Sequence, residues 1–348
     1  MQESVRDVVC SYDNLYKAMN KCKNGVMWKD STAGFVKNGL VNCFLLKDDL
    51  SSGKYRIGKY SVFTITEPKV RRIVSTRIRD RVFQRSLCDN YVTPTLSKSF
   101  IYDNAACQVG KGTDFARGRL KCHLQRFFRK NDLNGYVLKC DIKNYFGSTS
   151  HDVAKSAVAD RLDDDWAFSE IERIIDSFDQ GDDPNIGMGL GSQVTQLIEL
   201  TVLDKLDHII KERLRIKHYV RYMDDFLLIH NDKEYLKLCK NVIENEVKLL
   251  GLSMNNKKTQ IFPIKQPIHF LGFSFRLTST GKVVMRLLPE KVVRERRKLK
   301  KLVEFARQGV LTKDKVDSCF GCWVAHASKG NCYMLIERMT KFYESLWR

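Results

Sequence analysis

Two runs of strand-forming residues flank a pair of acidic residues beyond the middle of the chain. Residues 218–222 and 226–230 are rich in valine, tyrosine, isoleucine and leucine, a composition typical of β-strands. The pattern predicts a β-hairpin with Asp224 and Asp225 at its turn. Most Asp-Asp pairs are only solvated turn residues. Between two apolar strands, however, the pair offers the oxygen ligands that Mg²⁺ prefers, which favours a metal site.

A third apolar run, residues 136–140, ends in Asp141 and is followed by a predicted turn and helix. If this run pairs with the hairpin, Asp141 lies beside Asp224 and Asp225. Two cations in one site must be bridged from both sides, so a carboxylate from a second strand completes such a site. The alternative is that Asp141 caps the following helix.

The charge of the chain indicates a polyanionic partner. The chain has 60 Lys and Arg against 41 Asp and Glu, a formal net charge of +19, which favours nucleic acid as a partner. The excess is dense in residues 286–301, where cations and apolar residues recur at helical spacing. We expect a helix with one buried face and one cationic face, suited to duplex phosphates or simply solvated. Its cations are Arg294, Arg296, Arg297, Lys298, Lys300 and Lys301.

Composition also limits the class of protein. The 348 residues are 43% hydrophobic, enough for one globular body with a real core. No run is long and apolar enough to span a bilayer, and no signal peptide is evident, so we expect a cytoplasmic protein with no membrane partner. Eleven cysteines in such a chain are expected to be reduced thiols.

Taken in order, the motifs resemble those of reverse transcriptases. The nearest likeness is to bacterial enzymes of diversity-generating retroelements and to group II intron-like enzymes, phage-defence members included. Five blocks carry the resemblance in the family's order, which makes chance assembly very improbable. They are the catalytic blocks at residues 141–146 and 222–225, the template and nucleotide block at 187–196, the lysine block at 251–259 and the primer grip at 270–275.

The resemblance implies an α+β right-hand polymerase. Its fingers would span residues 1–135, its palm 136–282 with an antiparallel sheet and a fingers insertion at about 155–185, and its basic helical thumb 283–348. It would be an RNA-directed DNA polymerase that extends a DNA or RNA primer on an RNA template by two-metal nucleotidyl transfer. The cofactors implied are two Mg²⁺ ions, with Mn²⁺ as a substitute, and the substrates are deoxynucleoside triphosphates.

The resemblance also assigns residues. Phe146 would exclude a ribose 2′-hydroxyl, unless it is an ordinary core residue, and Lys258 would protonate the leaving pyrophosphate. The catalytic residues implied are Asp141, Asp224, Asp225 and Lys258, with Asp141, Ile142, Asp224 and Asp225 at the metals. The nucleotide-binding residues implied are Lys69, Arg71, Phe146, Leu190, Gly191 and Gln196. Primer and template contacts are assigned to Phe270, Leu271, Gly272, Gly110, Lys111 and Gly112.

Several features depart from the family or stay open. Leu190 stands where most relatives carry glutamine, and because leucine makes no hydrogen bond there we hypothesise error-prone copying. Arg79 and Arg81 flank Asp80 and could be structural ion pairs rather than phosphate ligands. Zinc-like ligand types occur at Cys319, Cys322, His326 and Cys332, although the spacing is unusual and buried structural cysteines are common.

The biological role also has alternatives. We expect a structured RNA or an accessory protein to supply template choice and priming. A phage-defence enzyme that makes unusual or untemplated DNA is a second possibility. A non-catalytic RNA-binding or maturation protein is a third, and for it the intact acids would be unnecessary.

Overall fold

The computed structural model describes residues 3–66, 70–178 and 183–348. Lys69, predicted to bind nucleotide, lies outside the described residues. The chain begins with helices, and Ser4 and Ser11 cap the first two by accepting bonds from main-chain NH groups. The first elements are α1 (Val5–Cys10), α2 (Tyr12–Cys22), α3 (Asp30–Lys37), α4 (Gly39–Ser51), β1 (Ser61–Ile65), β2 (Arg71–Ser75) and α5 (Ile78–Leu87).

The strands β1 and β2 form an antiparallel hairpin in which Ile65 pairs with Arg71. A π-helical turn (Cys88–Val92) and α6 (Thr93–Leu96) continue α5, and α7 (Thr113–Asn131) leads into the central sheet. The helix predicted to open near Arg77 is confirmed, since α5 begins at Ile78.

The central sheet and its helices follow. The elements are β3 (Tyr136–Asp141), α8 (Tyr145–Ser148), α9 (His151–Ala159), α10 (Asp165–Asp176), α11 (Gln193–Val202), α12 (Asp204–His208), a π-helical turn (Ile209–Arg213), β4 (His218–Tyr222), β5 (Asp225–His230), α13 (Lys233–Leu249) and β6 (Gln260–Pro263). The sheet is antiparallel with strand order β4-β5-β3-β6.

Helices cover both faces of this sheet, which explains the unbroken apolar run of β5. Phe226 and Leu228 join one core cluster, while Leu227 and Ile229 join the other. Alternate residues of a strand point to opposite faces, so a strand buried on both sides is apolar throughout. One buried ion pair fixes β4 to α12: Nη2 of Arg221 lies 2.6 Å from Oδ2 of Asp207, and both side chains are inaccessible to solvent.

The predicted insertion at about 155–185 packs against the N-terminal helices. In α10, Arg173 donates to the carbonyl of Tyr55, and just beyond it the hydroxyls of Ser177 and Tyr60 are 2.5 Å apart. The described part of this segment therefore contacts the chain between α4 and β1.

A second sheet precedes the C-terminal helices. It contains β7 (Ile268–Phe270), β8 (Phe273–Leu277) and β9 (Val283–Leu287), and the helices are α14 (Pro289–Arg307), α15 (Lys313–Ala327) and α16 (Tyr333–Ser345). One boundary needs correction, because residues 283–287, predicted to open the helical thumb, pair with β8. The first helix begins at Pro289, since proline suits the first turn of a helix. In α14, Leu299 and Val303 are buried while its cations face outward, as the sequence pattern predicts.

The mixture of helical layers and antiparallel sheets confirms the predicted α+β class. The eleven cysteines are all free thiols, as expected. No helix within the described ranges combines the length and hydropathy needed to cross a membrane.

Candidate active site

The three predicted aspartates meet at one end of the central sheet. Asp141, the last residue of β3, is the direct antiparallel partner of Asp225, the first residue of β5. Asp224 lies in the two-residue turn that joins β4 to β5. Met223, also in that turn, has a φ of 55°, a region that non-glycine residues adopt at a cost and that is enriched at functional sites. The predicted hairpin and its pairing with Asp141 are confirmed, and Asp141 is not a helix cap.

Main-chain bonds fasten the lysine block to this end of the sheet. The Asn255 NH donates to the carbonyl of Asp141 at 2.8 Å, and the Lys143 NH donates to the carbonyl of Ser253 at 2.9 Å. The Ile142 NH donates to the carbonyl of Asp224 at 3.3 Å. Because the Ile142 side chain is buried in the core, only its main-chain carbonyl could serve as the predicted metal ligand.

The Asp141 carboxylate is held by two side chains of the lysine block. Nζ of Lys258 lies 2.8 Å from Oδ1 and 2.7 Å from Oδ2, and Nδ2 of Asn255 donates to Oδ1 at 3.0 Å. The structure therefore joins Lys258 to Asp141, and its predicted role at the leaving pyrophosphate stays a prediction. Asn255 was missed as a site residue, although its position three residues before Lys258 in the same block is a sequence signal.

The Asp225 carboxylate is only partly compensated. Its Oδ1 is buried without a hydrogen-bond partner and lies 3.5 Å from Nζ of Lys139. Burial raises the pKa of Asp225 to about 6, with Lys139 opposing the rise and Asp224 and Asp141 adding to it. Sequence reasoning missed Lys139, which also donates to the carbonyl of His269 at 2.6 Å. Its signal is the period of two, since it precedes Asp141 by two residues on the same face of β3.

The pKa of Asp224 is also raised. Burial and the nearby Asp141 carboxylate raise its pKa, while Lys258 and Arg71 oppose the rise. Mutually repelling carboxylates beside an unpartnered oxygen are the donor chemistry that a divalent cation neutralises. The donor set therefore fits such a cation. Within the described residues no group of three or more His, Cys, Asp or Glu side chains is arranged to hold a metal ion. The oxygens of Asp141 are instead held by Lys258.

The zinc alternative is not supported. Cys319, Cys322 and His326 lie within α15. Cys332 is buried and its sulfur accepts a bond from the Leu287 NH. Residues 319–332 all belong to the described part of the chain, where no metal-binding group of this kind is found. Cys332 is thus a buried packing residue, whereas Cys322 is exposed on α15.

Four of the predicted nucleotide-binding residues lie in α8, in the loop that precedes α11 and in α11 itself. Phe146, in α8, is half-buried, and its carbonyl accepts a bond from the Met188 NH at 2.6 Å. The same loop carries Leu190 and Gly191, and a Cβ at Gly191, whose φ is 116°, would approach the carbonyl of Val74 in β2. The loop therefore lies between the β1–β2 hairpin and α8. Gln196, in α11, accepts a contact from Sγ of Cys107 at 3.3 Å.

The basic hairpin and helix of the N-terminal region divide into exposed and structural cations. Arg71 is exposed at the start of β2 and influences the charge of Asp224. Arg79 instead pairs with Asp49 at 2.5 Å, and Arg81 donates to the carbonyl of Thr76. The structural alternative for Arg79 and Arg81 is therefore the one the contacts favour.

The two predicted primer and template segments are both turns. Phe270 pairs with Phe273 across a two-residue turn in which Leu271 and Gly272 have φ values of 46° and 84°, the geometry of a type I′ hairpin. Phe270 itself is buried, so the turn is the accessible part.

Gly110 and Gly112 also have positive φ values, 73° and 149°, in the loop that precedes α7. Lys111 between them is internally engaged, because its Nζ donates to the carbonyls of Tyr102 and Asn104 at 3.0 Å. The Lys111 ammonium is therefore occupied within the protein, and a template contact at this loop would come from its main chain.

Comparison with known proteins agrees with this arrangement. The sequence profile of the family described as reverse transcriptase (RNA-dependent DNA polymerase) matches residues 46–275. The COX1/OXI3 intron 1 protein of Saccharomyces cerevisiae is 22% identical over 90% of this chain and 44% of its own length. The chain thus spans less than half of that yeast protein.

Solved structures resemble the chain as well. A telomerase from Candida albicans, in complex with a fragment of telomeric RNA, aligns with a TM-score of 0.53 and 12% identity over 83% of this chain and 54% of that one. A truncated apo telomerase from Candida tropicalis aligns with a TM-score of 0.49 and 14% identity over 70% and 60%. The Candida albicans likeness shows the fold, and the right-hand polymerase architecture is confirmed.

Proposed function

Because the chain belongs to the reverse transcriptase (RNA-dependent DNA polymerase) family, we propose that it copies RNA into DNA by extending a primer with deoxynucleoside triphosphates. The observation that carries the proposal is the direct pairing of Asp141 with Asp225, beside Asp224 in the adjoining turn. This register puts carboxylates from two strands at one end of the sheet, as two-metal nucleotidyl transfer requires.

Asp141, Asp224 and Asp225 would hold two divalent cations, Mg²⁺ by preference, with the carbonyl of Ile142 as a further ligand. Bound there, such cations lower the pKa of a primer 3′-hydroxyl and offset charge that develops on the triphosphate. Lys258 would donate a proton to the leaving pyrophosphate. Arg71 would hold phosphate oxygens through its guanidinium fork.

Phe146 would select the sugar. Phe146 is half-buried in α8, and its main-chain carbonyl accepts a hydrogen bond from the 187–191 loop. A rigid ring next to the sugar would exclude a 2′-hydroxyl by overlap. We place the fingers in residues 1–135 with the insertion at about 155–185. The palm and the primer-grip sheet then extend to residue 287, and the thumb helices start at Pro289.

The test is primer extension on a defined RNA template with Mg²⁺ and deoxynucleotides. Wild-type protein should make complementary DNA. Asp224→Asn, which keeps the side-chain shape and removes a charge, should reduce the rate by several orders of magnitude. Unchanged DNA synthesis by this variant would contradict the proposal. If Asp224→Asn keeps the protein's full biological activity, the non-catalytic RNA-binding role is the better explanation.

We also propose that copying is error-prone, in a diversity-generating retroelement or a related system. Leu190 supports this, because its half-exposed apolar side chain makes no hydrogen bond to a base pair. Sequencing the products of wild type and Leu190→Gln should show fewer errors in the variant, and equal error spectra would contradict the idea. Products sequenced with and without added RNA separate templated copying from the untemplated synthesis of a phage-defence enzyme.

A further inference from the structure

A cavity of about 550 Å³ lies at the far end of the central sheet from the aspartates. It is enclosed by the end of α7, the chain that precedes β4, and the outer ends of β4 and β5. The strand β5 runs from Asp225 at the active site to His230 at the cavity. At about 3.4 Å per residue the two places are roughly 17 Å apart, so the cavity is distinct from the catalytic centre.

The lining of this cavity is strongly basic. Five of its side chains are permanent or near-permanent cations, and no aspartate or glutamate of the described chain lines it. Three come from the last turns of α7 and two from the segment before β4, so that the cations stand on two sides of the concavity. They are Arg126, Arg129, Lys130, Arg215 and Lys217.

Cations near the cavity pair with carboxylates, whereas the five that line it do not within the described part of the chain. Arg119 and Lys211 lie 2.6 Å and 3.8 Å from the carboxylate of Asp103, and Arg221 is paired with Asp207. Among the residues that the structure describes, none of the five lining cations forms an ion pair with a carboxylate. Positive charge therefore accumulates in a concave site, where it attracts anions most strongly.

Electrostatics at the wall of the cavity agrees with this. Burial, and after it His123, Lys211, Arg126 and Lys130, lower the pKa of His218 to about 4. The His218 ring packs edge-on against Phe127 and is kept neutral beside the cations. The cavity thus combines uncompensated charge with an apolar and aromatic floor.

We propose that this cavity binds consecutive phosphates of a single RNA strand outside the catalytic centre. Arginine forks match phosphate oxygens in bidentate geometry, and cations on two facing elements suit a chain of phosphates better than one small anion. The inference rests on the proposed function, since it gives the RNA partner of the polymerase a second point of attachment.

The test measures binding of polyuridylate to the full chain over a range of salt concentrations. A triple variant, Arg126→Gln with Arg129→Gln and Arg215→Gln, is compared with a matched control that loses the same charge elsewhere, Lys17→Gln with Lys47→Gln and Lys248→Gln. Each phosphate contact to a single strand contributes about 0.7 to the slope of log affinity against log salt. The cavity variant should lose about 2 from that slope and roughly a hundredfold in affinity near 0.1 M salt, while the control keeps both.

A stoichiometry measurement sharpens the result. With a primer–template duplex saturating the catalytic centre, wild type should bind one further strand, and the cavity variant none. Equal losses in the two triple variants would overturn the proposal, because they would show only a general charge effect. Displacement of the RNA by polyglutamate at equal charge would overturn it in favour of an acidic protein partner. Should the triple variant unfold, Arg129→Gln and Arg215→Gln alone test the two sides separately, and an unchanged slope in both would overturn it.

The two proposals fail in different ways. Binding is measured in the Asp224→Asn background as well, so a protein that does not polymerise still reports on the cavity. Conversely, extension of a short oligonucleotide primer on a short template should be unaffected by the cavity variant if polymerisation is correct.

Discussion

Nζ of Lys258 lies 2.7 Å from Oδ2 of Asp141, joining the lysine block to the first catalytic strand by an ion pair. An ammonium at this place competes with a cation for the same carboxylate oxygens. The ion pair also shows that a side chain distant in sequence reaches the site through the fold, since Asn255 and Ser253 bond to the main chain around Asp141.

Replacing Lys258 by alanine should move two quantities in opposite directions. Single-turnover incorporation should fall by about 10²-fold to 10⁴-fold, the usual contribution of a general acid. Binding of Mn²⁺, measured by electron paramagnetic resonance, should become tighter because a competing charge is gone. Lys257→Ala is the matched control, since that neighbour is exposed and, among the described residues, the side chains that hold Asp141 are Lys258 and Asn255. Weaker Mn²⁺ binding in Lys258→Ala would contradict the competition.

Phe146 should control the choice of sugar. Phe146→Ala opens space beside the 2′ position, and the preference for deoxynucleotides over ribonucleotides in kcat/KM should fall by roughly two orders of magnitude. Phe146→Tyr keeps the ring and should keep the preference. If the alanine variant discriminates as well as wild type, the residue is a core phenylalanine and nothing more.

The buried pair of Asp207 and Arg221 should dominate local stability. Asp207→Asn leaves the guanidinium buried without its counter-charge, which costs about 3–5 kcal/mol in the free energy of unfolding. Asp89→Asn, which weakens the more exposed pairs with Arg85 and Lys21, is the control and should cost about 1 kcal/mol or less. Urea denaturation of the three proteins compares these values, and similar losses in both variants would argue against the role of burial.

His218 should make stability depend on pH. Its pKa is lowered to about 4 in the folded protein, against about 6.5 in the unfolded chain. The unfolded state therefore binds the proton first. The stability linked to His218 is intact above about pH 6.5 and is lost as pH falls toward 4, by about 1 kcal/mol per pH unit at most. In His218→Gln the denaturation midpoint should depend less on pH over this range. If the midpoint changes with pH as steeply as in wild type, the pH dependence does not come from His218.

The C-terminal cysteines should bind no zinc. Elemental analysis of the purified protein should find none in stoichiometric amount, and Cys322→Ser, at an exposed position, should leave the thermal midpoint unchanged. One zinc per chain, lost in that variant, would restore the metal interpretation.

The strands, the hairpin and the identity of the acids were predictable from the amino-acid sequence alone. These features follow from local rules, because β-branched and aromatic runs form strands and a polar break between them forms a turn. The cationic face of α14 was equally visible, since helical periodicity separates Leu299 and Val303 from the charges around them. The sequence left the zinc alternative open, because ligand types at an unusual spacing do not show whether the side chains meet around an ion. The boundary at residue 283 was wrong because residues 283–287 pair with β8 as a strand.

Which residues contact one another could be learned only from the three-dimensional fold. The register that pairs Asp141 with Asp225, the approach of Lys139 and Asn255, and the engagement of Lys111 with its own loop all depend on contacts between distant segments. The basic cavity at the far end of the sheet depends on them too, since Arg129 and Arg215 are neighbours only after α7 packs against β4. Secondary-structure propensity depends on residues close in sequence. Charge interactions and packing depend on distances between side chains, and those distances are known only once the chain is folded.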